Sequence, residues 1–525
     1  MMRCFASLLT ATFLALLSGC AIGPFTSQQD IGKPSMIGPG VATFDPASAT
    51  LRLTGGGANL WGKEDNLHFV WKKISGDNLT LAADVVFDKA TPGAIDHRKA
   101  VLMIRQSLEP NSPYADACVH GNGMTALQWR EAPGENSYEI QANADAPRRL
   151  RVEKRGNYFS MSIGSSDADL RPAGGACKVE LTGDYYVGLG VCSHSRERLE
   201  TACFSNIALG LPPAGSNRFM ISTLEVYQDT GSRDRRVVWV EGHSTGNRSG
   251  AARLEAPNWV RDNSNTLLYN FGGHLYKVPA VLPSSLPTSV SVKPELLNLG
   301  ILTNLNNDHV ISFDNTMLGV SDSSQGNRQS TVWIIPLTGG TPTRMTPNTP
   351  SYLHGWSPDG KTLVFAAARA ANGNNAGGNW DIYAVPATGG AETRLTTDPA
   401  REDGPEFSPD GQYIYFNSSR TGKMQIWRMR PDGSNQEQVT HDDFNDWFPH
   451  ISPNGQKMVF ISYPKSERAD NHDSITDVQL RLMTLSTGDI VTVAKLFGGQ
   501  GTINVPSWSP DSRYFAFMSY QAVSQ

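Results

Sequence analysis

The chain has 525 residues, with 45 Lys and Arg against 50 Asp and Glu, a net charge of −5, and 50 glycines beside 32 prolines. That length is too great for one ordinary domain, the turn-forming residues point to many short elements, and the pI near 6.1 leaves no basic footprint for nucleic acid. Beyond the first 20 residues there is no run of about 18 apolar residues, so no further membrane span is expected.

The N-terminus opens Met1-Met2-Arg3, runs through the apolar stretch Cys4 to Leu17 and ends Leu17-Ser18-Gly19-Cys20, the layout of an export signal and too short to span a bilayer. That ending resembles the lipobox of bacterial lipoproteins. The resemblance implies a signal over residues 1–20, a diacylglycerol on Cys20 as the first mature residue, and membrane contact through the lipid alone. Ala21, where a retained lipoprotein carries Asp, implies the outer membrane, with the protein facing the periplasm. The alternative is an ordinary secretory signal with an incidental cysteine. Residues 21–41, rich in Gly, Pro, Ser and Gln, predict a flexible tether.

Residues 42–215 read as consecutive short strands. Leu79–Phe87, Lys99–Arg105 and Tyr185–Val191 are apolar or alternating runs without helical period, which predicts an antiparallel sandwich. Apart from Cys4 and Cys20, the cysteines are Cys118, Cys177, Cys192 and Cys203, an even set that favours two disulfides in an oxidising compartment. Cys192 and Cys203 bracket a polar loop and are expected to pair, leaving Cys118 with Cys177; no C-x-x-C spacing suggests a metal. With Trp61-Gly62, His68–Lys73 and Val187–His194, ending in Phe204–Ile207, the region resembles concanavalin-type jelly rolls. Arg105, His120, Gln128 and Trp129 could line a sugar-binding surface there, or be ordinary strand positions.

The second half repeats. Ser357-Pro358-Asp359-Gly360, Ser408-Pro409-Asp410-Gly411, Ser452-Pro453-Asn454-Gly455 and Ser509-Pro510-Asp511-Ser512 recur every ~45–55 residues, the period of a four-stranded propeller blade. Each is a tight turn: Pro presets φ, Asp or Asn caps, and Gly accepts φ > 0. An apolar strand follows, as in Thr362–Phe365 and Tyr413–Phe416, then an aromatic-bearing strand, as in Asp381–Pro386. Blades are expected to begin near Glu255, Asn307, His354, Asp403 and Trp447. A sixth is expected from two C-terminal strands, Val505–Ser519, joined to Thr223–Tyr227 and Arg236–Trp239, which closes the ring without an open edge. These repeats resemble the TolB family of periplasmic propellers. The all-β expectation is thus a concanavalin-like sandwich followed by a six-bladed TolB-like propeller over residues 220–525.

Inner strands line a propeller's channel, so the segments before each repeated turn should converge there. They supply Glu255, Asn258, Asn307, Asp308, His309, His354, Asp403, Glu406, His450, Gln500 and Asn504. One reading is a water-filled polar mouth that binds a protein or glycan in the envelope. The alternative resembles the metal-dependent propeller lyases of oligogalacturonates: His309, His354, His450 and Gln500 holding a divalent metal such as Mn or Ca, with Asp308 or Glu406 as acid or base in lysis or hydrolysis of an acidic oligosaccharide. There is no G-x-S-x-G elbow, Walker motif or H-E-x-x-H. A hydrolase domain after the last blade, as in dipeptidyl-peptidase-type propellers, is not expected in a chain ending at Gln525.

Overall fold

The computed structural model describes residues 22–524 except 34, 89–92, 213–217, 245–252, 263, 281–292, 326–327 and 371–374. The signal and Cys20 lie outside the described residues. The described chain is almost wholly strand, with two single-turn 3-10 helices, and none of its helices is long and apolar enough to cross a membrane.

The N-terminal half builds two sheets. One orders Ser27–Ile31, Leu67–Ile74, Tyr185–Cys192, Lys99–Arg105, Tyr114–His120, Thr125–Arg130 and Tyr138–Gln141; the other centres on Asn78–Phe87 and Ser195–Gly210. Alternation places Leu81, Ala83 and Val85 of the second sheet and Leu102, Ile104, Ala115 and Ala117 of the first in one shared core, as period-2 patterning requires. On the opposite face of the first sheet, Asp65 from a short hairpin is fully buried between Arg130 (2.7 Å) and Arg105 (3.3 Å).

Several expectations change here. Residues 27–31 form a strand instead of a tether. Their Gln and Asp are structural ligands: Gln28 accepts from the Ala42 N–H at 2.7 Å, and His68 stands 2.8 Å from Asp30. The surface proposed for sugar is internal. Trp129 packs in the shared core, Arg105 is locked on Asp65, and Gln128 and His120 are buried. Among the described residues the four cysteines are free thiols. The polar stretch after Cys192 does not return along the same sheet. It crosses to the other sheet as strand Ser195–Gly210, where Cys203 lies opposite Arg52 and contacts Asp88 at 3.4 Å. Cys192 and Cys118 instead share a cluster on the outer face of the first sheet, while Cys177 sits in the core between sheets.

The C-terminal half holds five four-stranded blades, not six; their first strands are Leu254–Trp259, Leu305–Ile311, Ser351–Trp356, Glu402–Phe407 and Asn445–Ile451. The strands assigned to a sixth do pair, Tyr514–Ser524 with Arg218–Gln228 and the latter with Arg235–Ser244. They do not stand as a separate blade, because Arg235 and Arg236 pair in parallel with Ile140 and Gln141. The first sheet therefore runs unbroken to ten strands and ends on the C-terminal strand. The two expected domains therefore share one sheet.

The repeated turns are held as their chemistry predicts. Ser357, Ser408 and Ser509 donate to the aspartates two residues on, each at 2.6 Å, and Ser452 to Asn454 at 2.8 Å. Gly360 and Gly411 take φ of 69° and 70°, where a Cβ would be strained. Ser312-Phe313-Asp314-Asn315 is a fifth copy, with Ser312 2.6 Å from Asp314 and Asn315 at φ 60°; Asn is tolerated there, and without Pro or Gly the copy was invisible as a repeat.

Burial pushes the Cys192 thiol up to about 11, so it resists reaction in the folded chain. Titration of the unreduced chain beginning at Ala21 with a disulfide reagent is expected to give no more than one thiol, at half-exposed Cys203, in native buffer and all four in denaturant. A denatured count of zero would restore the two bridges.

Candidate functional site

Each inner strand breaks register midway: between Glu255 and Asn258, Leu305 and His309, Leu353 and Gly355, Asp403 and Glu406, and Trp447 and His450. Such a bulge leaves backbone groups unpaired and re-aims the side chains on either side. Neighbouring blades satisfy them. Asn270 donates to the Asn306 carbonyl at 2.7 Å, Ser321 Oγ accepts from the Leu353 N–H at 2.8 Å, and Asn417 Oδ1 accepts from the Phe448 N–H at 3.0 Å. Residues before the bulges line one channel mouth and residues after them the other.

The first mouth is a pocket of about 440 Å³. It gathers Glu255, Asn307, Asp308, His354, Asp403 and Gln500 of the predicted ring. Asp403, buried, is the hub: Arg401 Nη2 donates to it at 3.0 Å, and His354 Nε2 and His472 Nε2 stand 3.4 and 3.5 Å away. Burial would raise its pKa, but hydrogen bonds from the two histidines and the Arg401 charge win and hold it well below the carboxylate range. The histidines move the other way. Burial disfavours the charge on His354, yet Asp308 and Asp403 outweigh it and raise its pKa; on His472, Asp403 and Asp473 do the same. Asp308, which accepts from Asn504 at 2.5 Å, is pushed up by burial. His472 reaches Gln500 Oε1 at 3.1 Å through Nδ1, while its Nε2 lies 2.8 Å from Arg401 Nη2. Two donors cannot meet at that contact, so neutral His472 accepts from Arg401 and protonated His472 turns to Asp403. Trp380 and Tyr352 form an aromatic wall, ring centroids 5.5 Å apart, and Arg401 lies over Trp380 at 5.4 Å.

The remaining predicted residues are elsewhere. His309 is buried and does not line that pocket, and burial pushes its pKa down to about 3, so it is neutral. His450 belongs to the far end of the channel, 2.6 Å from Glu406 and 2.7 Å from the Ile503 carbonyl. Asn258 is buried and donates to the Pro506 carbonyl. The metal set His309, His354, His450 and Gln500 therefore does not converge: His354 and Gln500 line the first mouth, His450 pairs with Glu406 at the other, and His309 lines neither. No group of three His, Cys, Asp or Glu among the described residues is placed to hold a metal ion. Nor do Asp308 and Glu406 share a pocket.

Sequence reading missed Arg253, Trp380, Arg401, His472 and Asp473. His472 and Asp473 come from the long connection after strand Lys457–Tyr463, whose run Asp470-Asn471-His472-Asp473 was the available signal. The raised histidines add stability that is complete below about pH 6.5, the ordinary His value, and is lost as pH rises through their higher folded values. Asp403→Asn is expected to lower the melting temperature at pH 6 and flatten its decline toward pH 9. An unchanged slope in thermal unfolding would remove Asp403 from that role.

Comparison with known proteins places these features. Residues 354–494 match the model of the TolB beta propeller domain. An uncharacterised protein of Agrobacterium fabrum is 43% identical over 312 residues, 59% of this chain and 96% of that protein. The structure of a candidate TolB from Agrobacterium tumefaciens matches at 44% identity and TM-score 0.50, covering 58% of this chain and 99% of that one. An oligogalacturonate lyase from Vibrio parahaemolyticus is distant, at 13% identity and TM-score 0.32 over 60% of this chain and 87% of its own, and carries no argument about chemistry. With nearly the whole of a 43% identical relative spanned, the chain belongs to the TolB-type β-propeller family.

Proposed function

We propose that this is an exported envelope protein whose propeller binds a protein or glycan at the Asp403 mouth, as a recognition or scaffolding module. The observation that carries the reading is that all five blades and the Gln500 turn contribute to one polar pocket whose acids and histidines are already paired with each other. Groups so committed are poor proton shuttles, whereas half-buried Trp380 and Tyr352 present faces on which a ring or side chain can stack. The Leu17–Cys20 motif supports a lipid anchor at the outer membrane with the body in the periplasm. The two N-terminal sheets, read as a concanavalin-like unit, act as a rigid platform joined to the propeller.

Two measurements test this. Capture from solubilised envelope and on a glycan array, with wild type against Trp380→Ala and Tyr352→Ala, is expected to show about tenfold weaker retention, a loss of ~1.4 kcal/mol; equal retention by both variants would exclude this mouth. Cys20→Ser is expected to move the protein from the membrane to the soluble fraction, and unchanged fractionation would exclude the lipid anchor.

A further inference from the structure

The far mouth of the channel holds a second, separate pocket of about 200 Å³. It is lined by residues that follow the inner-strand bulges, among them Trp259, Arg261, Phe313, Glu406 and Trp508, and by prolines of three repeated turns, Pro409, Pro453 and Pro510. The Arg261 guanidinium lies 4.0 Å over the Phe313 ring, and among the described residues no acceptor sits on it. The Trp259 indole N–H, on a side chain 2% exposed, is likewise without a partner. A buried donor normally has an acceptor, so the orphaned indole N–H, with the half-buried Arg261 guanidinium on the same pocket, is a demand for an acceptor from outside.

Glu406 does not meet that demand. Its Oε2 is taken by His450 Nδ1 at 2.6 Å and its Oε1 accepts from the Ile451 N–H at 3.2 Å. Its charge nevertheless remains close, so a doubly charged anion is disfavoured and a single negative charge suits the one guanidinium. The rest of the wall is aromatic rings and prolines. Proline carries no N–H, so the rim offers an apolar surface and few further donors. A planar carboxylate attached to an apolar group matches a guanidinium fork, an indole N–H and such a wall.

We propose that this mouth binds the free C-terminal carboxylate of an extended peptide. The carboxylate accepts from Arg261 and Trp259 Nε1, and the last side chain packs against Phe313, Trp508 and the turn prolines. The site is independent of the Asp403 mouth and stands or falls without it.

The test is calorimetric titration of the full chain, in nonionic detergent, with an N-acetylated tripeptide ending in leucine, beside the same peptide as its C-terminal amide and beside acetate. Saturable binding of the free acid, at least tenfold weaker for the amide and for Arg261→Gln, is expected. Arg261→Lys, which keeps the charge without the fork, should fall between, and Trp259→Phe, which removes only the indole N–H, should weaken the acid and not the amide. Melting temperatures of the variants establish that they are folded; should Arg261→Gln fail to fold, Trp259→Phe alone decides. No binding, or equal binding of acid and amide, overturns the site, and acetate competing as well as the peptide overturns the peptide assignment.

Discussion

The pairing of the C-terminal strand Tyr514–Ser524 with Arg218–Gln228 is the constraint on which the rest depends. This strand takes as its partner one laid down before the first blade begins. The same N-terminal partner continues into Arg235–Ser244 and from there into the sheet of the first half. Closure of the propeller and attachment of the N-terminal sheets are thus one hydrogen-bonded structure. The two halves also meet through side chains: Tyr158 and Lys178 both reach Asp477, and Gln521 donates to Ser160 at 2.7 Å.

Within that frame the five bulges set which side chains reach which mouth. A regular strand would present alternate residues along the whole channel; the irregularity divides each into an upper and a lower set with different chemistry. Above, carboxylates and histidines compensate one another around Asp403. Below, a lone guanidinium faces rings and prolines, while the carboxylate nearest to it is fully engaged. The two pockets of one channel thus differ in chemistry.

The blade period was legible in the sequence because a Ser-Pro-Asp-Gly turn has strict backbone demands; at Ser312–Asn315 other residues meet the same demands, so the turn escaped although the blade near Asn307 did not. The strands Lys99–Arg105 and Leu79–Phe87 were legible from alternation to within a residue. The membership of the mouth was legible for Asp308, His354, Asp403 and Gln500, which precede or follow predicted turns. It was not legible for His450, which a bulge three residues earlier sends the other way, nor for His472, whose place depends on how a long connection folds over the pore. Cysteine pairing failed for a topological reason: a polar stretch reads alike whether the chain turns back along a sheet or crosses to the facing one.

The ten-stranded sheet has a mechanical consequence. Strand Ser27–Ile31, close to where the described chain begins, is one border of that sheet, and the closing strand Tyr514–Ser524 is the other. Tension applied at the N-terminus enters at one border and is carried toward the ring closure through successive ladders. The narrowest of these is the parallel junction of Ile140–Gln141 with Arg235–Arg236, two residues long. It is the shortest hydrogen-bonded link in that path, against the eleven-residue pairing that keeps the ring shut.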